Sequence, residues 1–146
     1  MIDQPRSPDL TVVGDGVPVV ISVPADKTYV ALIRSATAHL GARAGFSVVE
    51  ITDLRLAVDE ACGLLLSPHE HGGLAAGGGE LECRLIEYGA GLRIVVSTTD
   101  DSDLRPDQEG FGWHLLSGLV DRLRWSRADG RAQVELVKYP AARITR

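Results

Sequence analysis

The 146-residue chain is 45% hydrophobic and 24% charged, with 20 acidic residues against 15 basic ones and a formal net charge of −5. That size and composition suit one soluble globular domain, burying roughly 70% of the surface its unfolded form exposes. No two Lys or Arg residues are adjacent, which argues against direct DNA or RNA binding, and no apolar run reaches the roughly 18–20 residues a membrane span needs.

Residues 1–15 read as a flexible tail and 16–146 as a single domain. The first ten residues are polar and contain Pro5 and Pro8, so they are not a signal peptide, and a cytoplasmic location is expected. Val17 to Val23 is β-branched and bounded by Gly16 and Pro24, which predicts a strand. Asp26 can cap a helix over 27–40, with Val30, Ile33, Thr37 and Leu40 at core spacing and Gly41 as its stop.

Ser47-Val48-Val49-Glu50 has the spacing of a capping box and opens a second helix that ends near Ser67-Pro68. At 100° per residue, Ile51, Leu54, Val58, Ala61 and Leu65 form its sheet-facing stripe. Glu60 falls almost opposite that stripe, flanked one turn either way by Leu56 and Leu64. A carboxylate there is either a solvated surface charge or part of a pocket or partner surface.

The loop from His69 to Gly79 is glycine-rich, but no Lys-Ser/Thr follows and the next segment is a strand, so it is not a phosphate cradle. His69 and His71 lack a third metal ligand nearby. Leu81, Cys83 and Leu85 alternate with Glu82 and Arg84; after a turn at Gly89-Ala90-Gly91, Leu92, Ile94 and Val96 alternate again, predicting an antiparallel hairpin with one buried face. Cys62 and Cys83 read as small buried apolar groups, giving neither a disulfide framework nor a zinc pattern.

Asp100 to Glu109 is an acidic connector. A third helix is predicted from about Gly112 to Leu123, Trp125 in a short strand, Asp129-Gly130 as a two-residue hairpin turn, and a closing strand from Gln133 to Tyr139. The order βααββαββ predicts an α+β two-layer sandwich, with helices on one face of a mainly antiparallel sheet.

The Glu60 helix and the later stretch Glu109-Gly110-Phe111-Gly112-Trp113-His114, together with the element order over roughly residues 17–140, resemble the RsbW-type anti-sigma factors. These are small serine/threonine protein kinases of the GHKL (histidine-kinase-like) ATPase superfamily. The resemblance implies that Glu60 is the general base. It implies ATP and magnesium as cofactors, a homodimer, and two partners: a sigma factor, and a STAS-type anti-anti-sigma protein that displaces it.

Two of the family's boxes depart from its pattern. The asparagine that holds magnesium one turn after the glutamate is Leu64 here, which offers no oxygen to a hard cation. Where the family has Asp-x-Gly-x-Gly to read adenine, this chain has Thr98-Thr99-Asp100-Asp101-Ser102. Strand register puts Thr98 at the aspartate; a shift of two or three residues brings Asp100 or Asp101 into the role, but no glycine follows.

Gly110-Phe111-Gly112 fits better, preceding a helix whose amides can receive phosphate oxygens. The connector, however, sets Asp100, Asp101, Asp103, Asp107 and Glu109 against a single Arg105, which either opposes a triphosphate unless a cation intervenes or simply faces water. The expectation is therefore an anti-sigma factor with weak or absent kinase activity. The alternatives are an active protein kinase and a GHKL-like domain serving some other partner. Leu56 and Leu64 should close around Glu60 or expose a shallow apolar groove. Phe111 and Trp113 either plug that groove, meet a partner or are ordinary core aromatics, the core being the expectation for Trp113.

Overall fold

The computed structural model describes residues 17–66, 79–99 and 105–141. Strand β1 is Val19–Pro24. Asp26 Oδ1 then accepts from Thr28 N–H at 2.9 Å, as an N-cap does, and a 3-10 turn at Lys27–Tyr29 leads into helix α1, Val30–Arg43. Gly41 is not the stop the sequence suggested. It lies buried within α1, and a β-carbon there would sit 3.3 Å from both Ile51 Cγ1 and Leu54 Cδ1, so it allows the close crossing of the next helix. The left-handed glycine beyond the helix end is Gly45, at φ 91°.

Helix α2, Val48–Leu66, begins on the expected capping box: Glu50 N–H donates to Ser47 Oγ at 3.1 Å and Ser47 N–H to Glu50 Oε1 at 2.7 Å. Its buried face holds Leu54, Val58, Ala61 and Leu65 as the periodicity predicts, widened by Ala57, Cys62 and Leu66; Ile51 is only partly buried. Each fully buried Leu or Val contributes about 1.5–3 kcal/mol.

That face lies on a sheet made of β1, β2 (Glu80–Tyr88), β3 (Gly91–Thr99), β4 (Arg122–Ala128) and β5 (Arg131–Lys138), in the order β1-β2-β3-β5-β4, with every described pair antiparallel. The α+β two-layer sandwich is the observed fold. Leu81, Cys83, Leu85, Leu92, Ile94, Val96, Val134 and Leu136 supply the sheet side of the core. Cys62 and Cys83 are both buried and free; burial pushes the Cys62 thiol up to about 12, so it stays protonated and apolar in character.

Both hairpins turn on two residues. Gly89 (φ 61°) and Ala90 join β2 to β3, while Asp129 and Gly130 (φ 56° and 73°) join β4 to β5 as a type I′ turn. Gly91 belongs to β3 rather than to the turn. A β-carbon there would collide with the Lys138 carbonyl oxygen and stand 2.7 Å from Tyr139 Cδ1.

Helix α3 is Phe111–Leu119, shorter than the span to Leu123 that the apolar pattern suggested. Lys138 Nζ donates to Leu119 O at 2.8 Å, Asp121 N–H to Val137 O at 2.8 Å, and Leu123 pairs with Leu136 in the sheet. Leucines 119 and 123 are thus four apart in sequence but belong to a helix and a strand. Pairing with β5 overrides local periodicity.

Alternation places a second set of side chains on the face of the sheet away from the helices. Ile86, Val95 and Val137 are buried there, apart from the main core. Across this face Glu135 receives Arg93 Nε and Arg124 Nη2, the latter at 3.0 Å. Burial alone would raise the Glu135 carboxyl, but the hydrogen bond and charge of Arg93, joined by Arg124, hold it below the usual glutamate range.

Two measurements check these points. Gly91→Ala should destabilise the protein by about 2 kcal/mol through backbone overlap, whereas Gly63→Ala in α2, with nothing within 4 Å of the added carbon, should stabilise it by about 0.5–1 kcal/mol. Urea melts that rank the two variants equally would refute the packing account. Because the folded carboxyl is depressed, Glu135 contributes stability above an unfolded value of about 4.3, which is lost as pH falls through its lower folded value. Wild type should accordingly lose more stability than Glu135→Gln below that pH in acid titrations followed by circular dichroism.

Candidate functional site

Because α2 commits one face to the sheet, Glu60 is carried to its flank, where it is half-buried rather than fully solvated. The first turn of α3 crosses α2 there. A β-carbon on Gly112 would overlap Glu60 Oε2 and sit 3.3 Å from Leu64 Cδ2. Glycine is what lets the two helices approach so closely. The sequence-predicted Glu60, Leu64 and Gly112 are therefore neighbours in space, although the last two lie 48 residues apart.

Gly110 is the N-cap of α3 in extended backbone, with no side chain capping the helix. The amides of Phe111, Gly112 and Trp113 occupy first-turn positions that have no partner within an α-helix. Such a terminus favours an anion. The approach is set by Asp107, whose carbonyl accepts from Gly110 N–H at 2.9 Å and whose Oδ1 accepts from Glu109 N–H at 3.0 Å. This one member of the acidic connector thus folds the turn before the helix, a role that Asp-x-Glu-Gly makes legible as a side-chain turn. Asp100 and Asp101 lie outside the described residues, as do Asp103, His69 and His71.

Thr98, the residue that strand register puts at the adenine reader, is fully buried on the helix-facing side of β3, and its Oγ1 donates to Glu80 O at 2.8 Å. Its hydroxyl hydrogen is committed to holding β2 against β3.

Leu56 and Leu64 do not close on Glu60 as a pair. Leu64 packs against the core beside Gly112. Leu56, 44% exposed, lines a shallow groove of about 260 Å³ with Arg34, Thr52, Arg55 and Asp59. Within it Arg34 on α1 ion-pairs with Asp59 on α2, a contact that no local pattern announces because the partners are 25 residues apart. Trp113 packs against the core, as expected, whereas Phe111 is 80% exposed and plugs nothing.

These residues do not fit a magnesium ion. Magnesium at a nucleotide site takes one or two protein oxygens together with phosphates and water, and the position one turn beyond Glu60, where such an oxygen is expected, is the apolar Leu64. They fit the phosphate end of a nucleotide better, through the first turn of α3.

The Gly112–Glu60 apposition has a measurable consequence. Gly112→Ala should displace the Glu60 carboxylate in wild type but be accommodated once the side chain is removed. A double-mutant cycle of Gly112→Ala with Glu60→Ala should therefore give a coupling of about 0.5–3 kcal/mol in urea melts. Additive effects would contradict the contact.

Comparison with known proteins agrees with this geometry. Residues 23–138 match the family described as Histidine kinase-like ATPase domain. The chain is 33% identical over 104 residues to Serine-protein kinase RsbW of Bacillus pumilus, covering 70% of this chain and 64% of that protein. It is 28% identical over 137 residues to Serine-protein kinase RsbW of Bacillus subtilis, covering 82% and 83% respectively. The crystal structure of the RsbU and RsbW domains of Rv1364c from Mycobacterium tuberculosis superimposes with a TM-score of 0.64 at 19% identity, over 89% of this chain and 35% of that one, a likeness of fold. The chain belongs to the histidine kinase-like ATPase domain family and is related to the RsbW serine-protein kinases.

Proposed function

We propose that this protein is a cytoplasmic anti-sigma regulator that sequesters a sigma factor and is countered by a STAS-type anti-anti-sigma protein, acting as a homodimer with a degraded ATP site. The observation that carries this reading is Leu64, packed against Gly112 one turn from Glu60 where a cation ligand would have to stand. Phosphoryl transfer depends on positioning and on metal and amide stabilisation of charge. Removing the metal ligand disables that chemistry, while protein binding on other surfaces does not depend on it.

In this role Glu60 survives as a packing and partner residue, and exchange of partners regulates the protein without phosphorylation. The second reading, an active kinase that phosphorylates the anti-anti-sigma protein, is favoured by one observation: Glu60 stands directly against an uncapped helix N-terminus. As general base it would take the proton of the substrate hydroxyl, with the α3 amides meeting the phosphates.

Calorimetric titration with ATP, with and without Mg²⁺, separates the two. The regulator should give no detectable heat up to millimolar nucleotide, yet bind a purified sigma factor from its host. Tight Mg-dependent binding, with labelled phosphate transferred to an anti-anti-sigma protein and reduced about 10²–10⁴-fold in Glu60→Gln, would install the kinase instead. Failure to bind every sigma factor of the host ends the anti-sigma reading.

A further inference from the structure

The sheet face away from the helices carries a charge that the linear sequence hides. No two basic residues are adjacent in the chain, but strand alternation and register bring Arg84, Arg93, Arg122, Arg124 and Arg131 onto this one face. Among the described strand residues, Glu80, Glu82 and Glu135 are the carboxylates that oppose them there. A protein of net charge −5 thus presents a basic surface on one side.

The arginines are unequally engaged. Arg93 is tied to Glu135, Arg131 Nη2 donates to the Ser97 hydroxyl at 2.8 Å, and Arg84 stands 3.8 Å from Glu82. Arg124 shares Glu135 but is 70% exposed. Arg122 is exposed, and with Arg124, Tyr88 and Glu135 it lines a concavity of about 420 Å³ floored by Val137. Buried Ile86 and Val95 lie on the same face under the arginine stems.

We infer that this open sheet face docks an acidic segment of a partner protein, with a partner carboxylate entering the concavity between Arg122 and Arg124. A guanidinium pair matches the planar geometry of a carboxylate. Arg and Tyr around an apolar floor are the residue types that dominate protein interfaces. The identity of that partner as the sequestered sigma factor rests on the proposed function; the chemistry of the face does not. Partner charge, rather than a nucleotide, then governs recognition on this side, which lies across the sheet from Glu60.

The test has two arms, using the full chain and the variants Arg122→Glu/Arg124→Glu and the milder Arg122→Gln/Arg124→Gln, each checked for folding by circular dichroism. In the first, a fluorescein-labelled peptide of alternating Glu and Val is titrated by anisotropy at low ionic strength. Wild type should bind it, both variants should weaken binding by about tenfold or more, and Arg55→Glu on the helical side should not. Equal binding by wild type and variants overturns the inference. So does a tighter grip on single-stranded RNA than on the peptide, or a wild-type dimer that becomes monomeric in the variants by light scattering, since the face would then serve another occupant.

In the second arm, a sigma factor that binds wild type should lose about tenfold on the glutamine variant. Unchanged affinity removes the sigma factor as the occupant. If no sigma factor binds wild type, the proposed function fails while the peptide arm still decides the face.

Discussion

The apposition of α2 on the sheet is the constraint from which the rest follows. With Leu54, Val58, Ala61 and Leu65 committed to the core, the orientation of every other side chain on that helix is fixed by 100° steps. Asp59 is turned toward α1 and meets Arg34; Glu60 and Leu64 are turned toward the first turn of α3. A carboxylate that must hold a defined position benefits from such an anchor, because packed helix positions are more precise than loops. The same anchoring makes the departure at Leu64 consequential, since the residue cannot rotate out of the place where a ligand would be needed.

Two glycines make the helical layer possible. Gly41 admits Ile51 and Leu54 where α1 and α2 cross, and Gly112 admits Glu60 where α2 and α3 cross. In both cases the missing side chain lets one element contact another closely, and the conformational freedom of glycine is incidental. Close approach at Gly112 has a second effect. It brings the positive end of α3 against a carboxylate from α2, a favourable pairing of charge and helix dipole, which stabilises the crossing whether or not a nucleotide binds. Retention of Glu60 beside Gly112 is therefore consistent with a structural role alone, and this is why Leu64, rather than Glu60, discriminates between the functional readings.

Much of this was legible in the chain. Alternation in Leu81–Leu85 and Leu92–Val96, the Ser47/Glu50 box and Asp129-Gly130 each specify a local geometry, and each stands in the structure as read. Local signals failed where a distant element decided the outcome. Gly41 carries the sequence signature of a helix end, yet the helix continues because α2 needs the space. Leu116, Leu119 and Leu123 keep helical spacing, yet Leu123 is claimed by Leu136 of β5. At the site, Glu60 and Gly112 could be proposed as a pair only through resemblance, since nothing local to either residue encodes their contact. The Arg34–Asp59 ion pair had no signal at all.

Charge was the property that linear reading misrepresented most. A run of basic residues is a reliable mark of a cationic surface, but a strand shows alternate residues on each face, so clustered charge on a sheet appears in the sequence as charge dispersed among apolar residues. Glu82-Cys83-Arg84, Leu92-Arg93-Ile94 and Arg122-Leu123-Arg124 each look like ordinary amphipathic strand; antiparallel register then stacks their outer members across the sheet. The part-buried salt bridge of Arg93 with Glu135 occupies the centre of that face, while Arg122 and Arg124 stand exposed beside it. The layer with helices and the layer without them thus do different work. One holds a glutamate against a helix terminus in a histidine kinase-like ATPase fold, and the other presents fixed cations over an apolar floor, a surface whose chemistry is independent of whatever the far side binds.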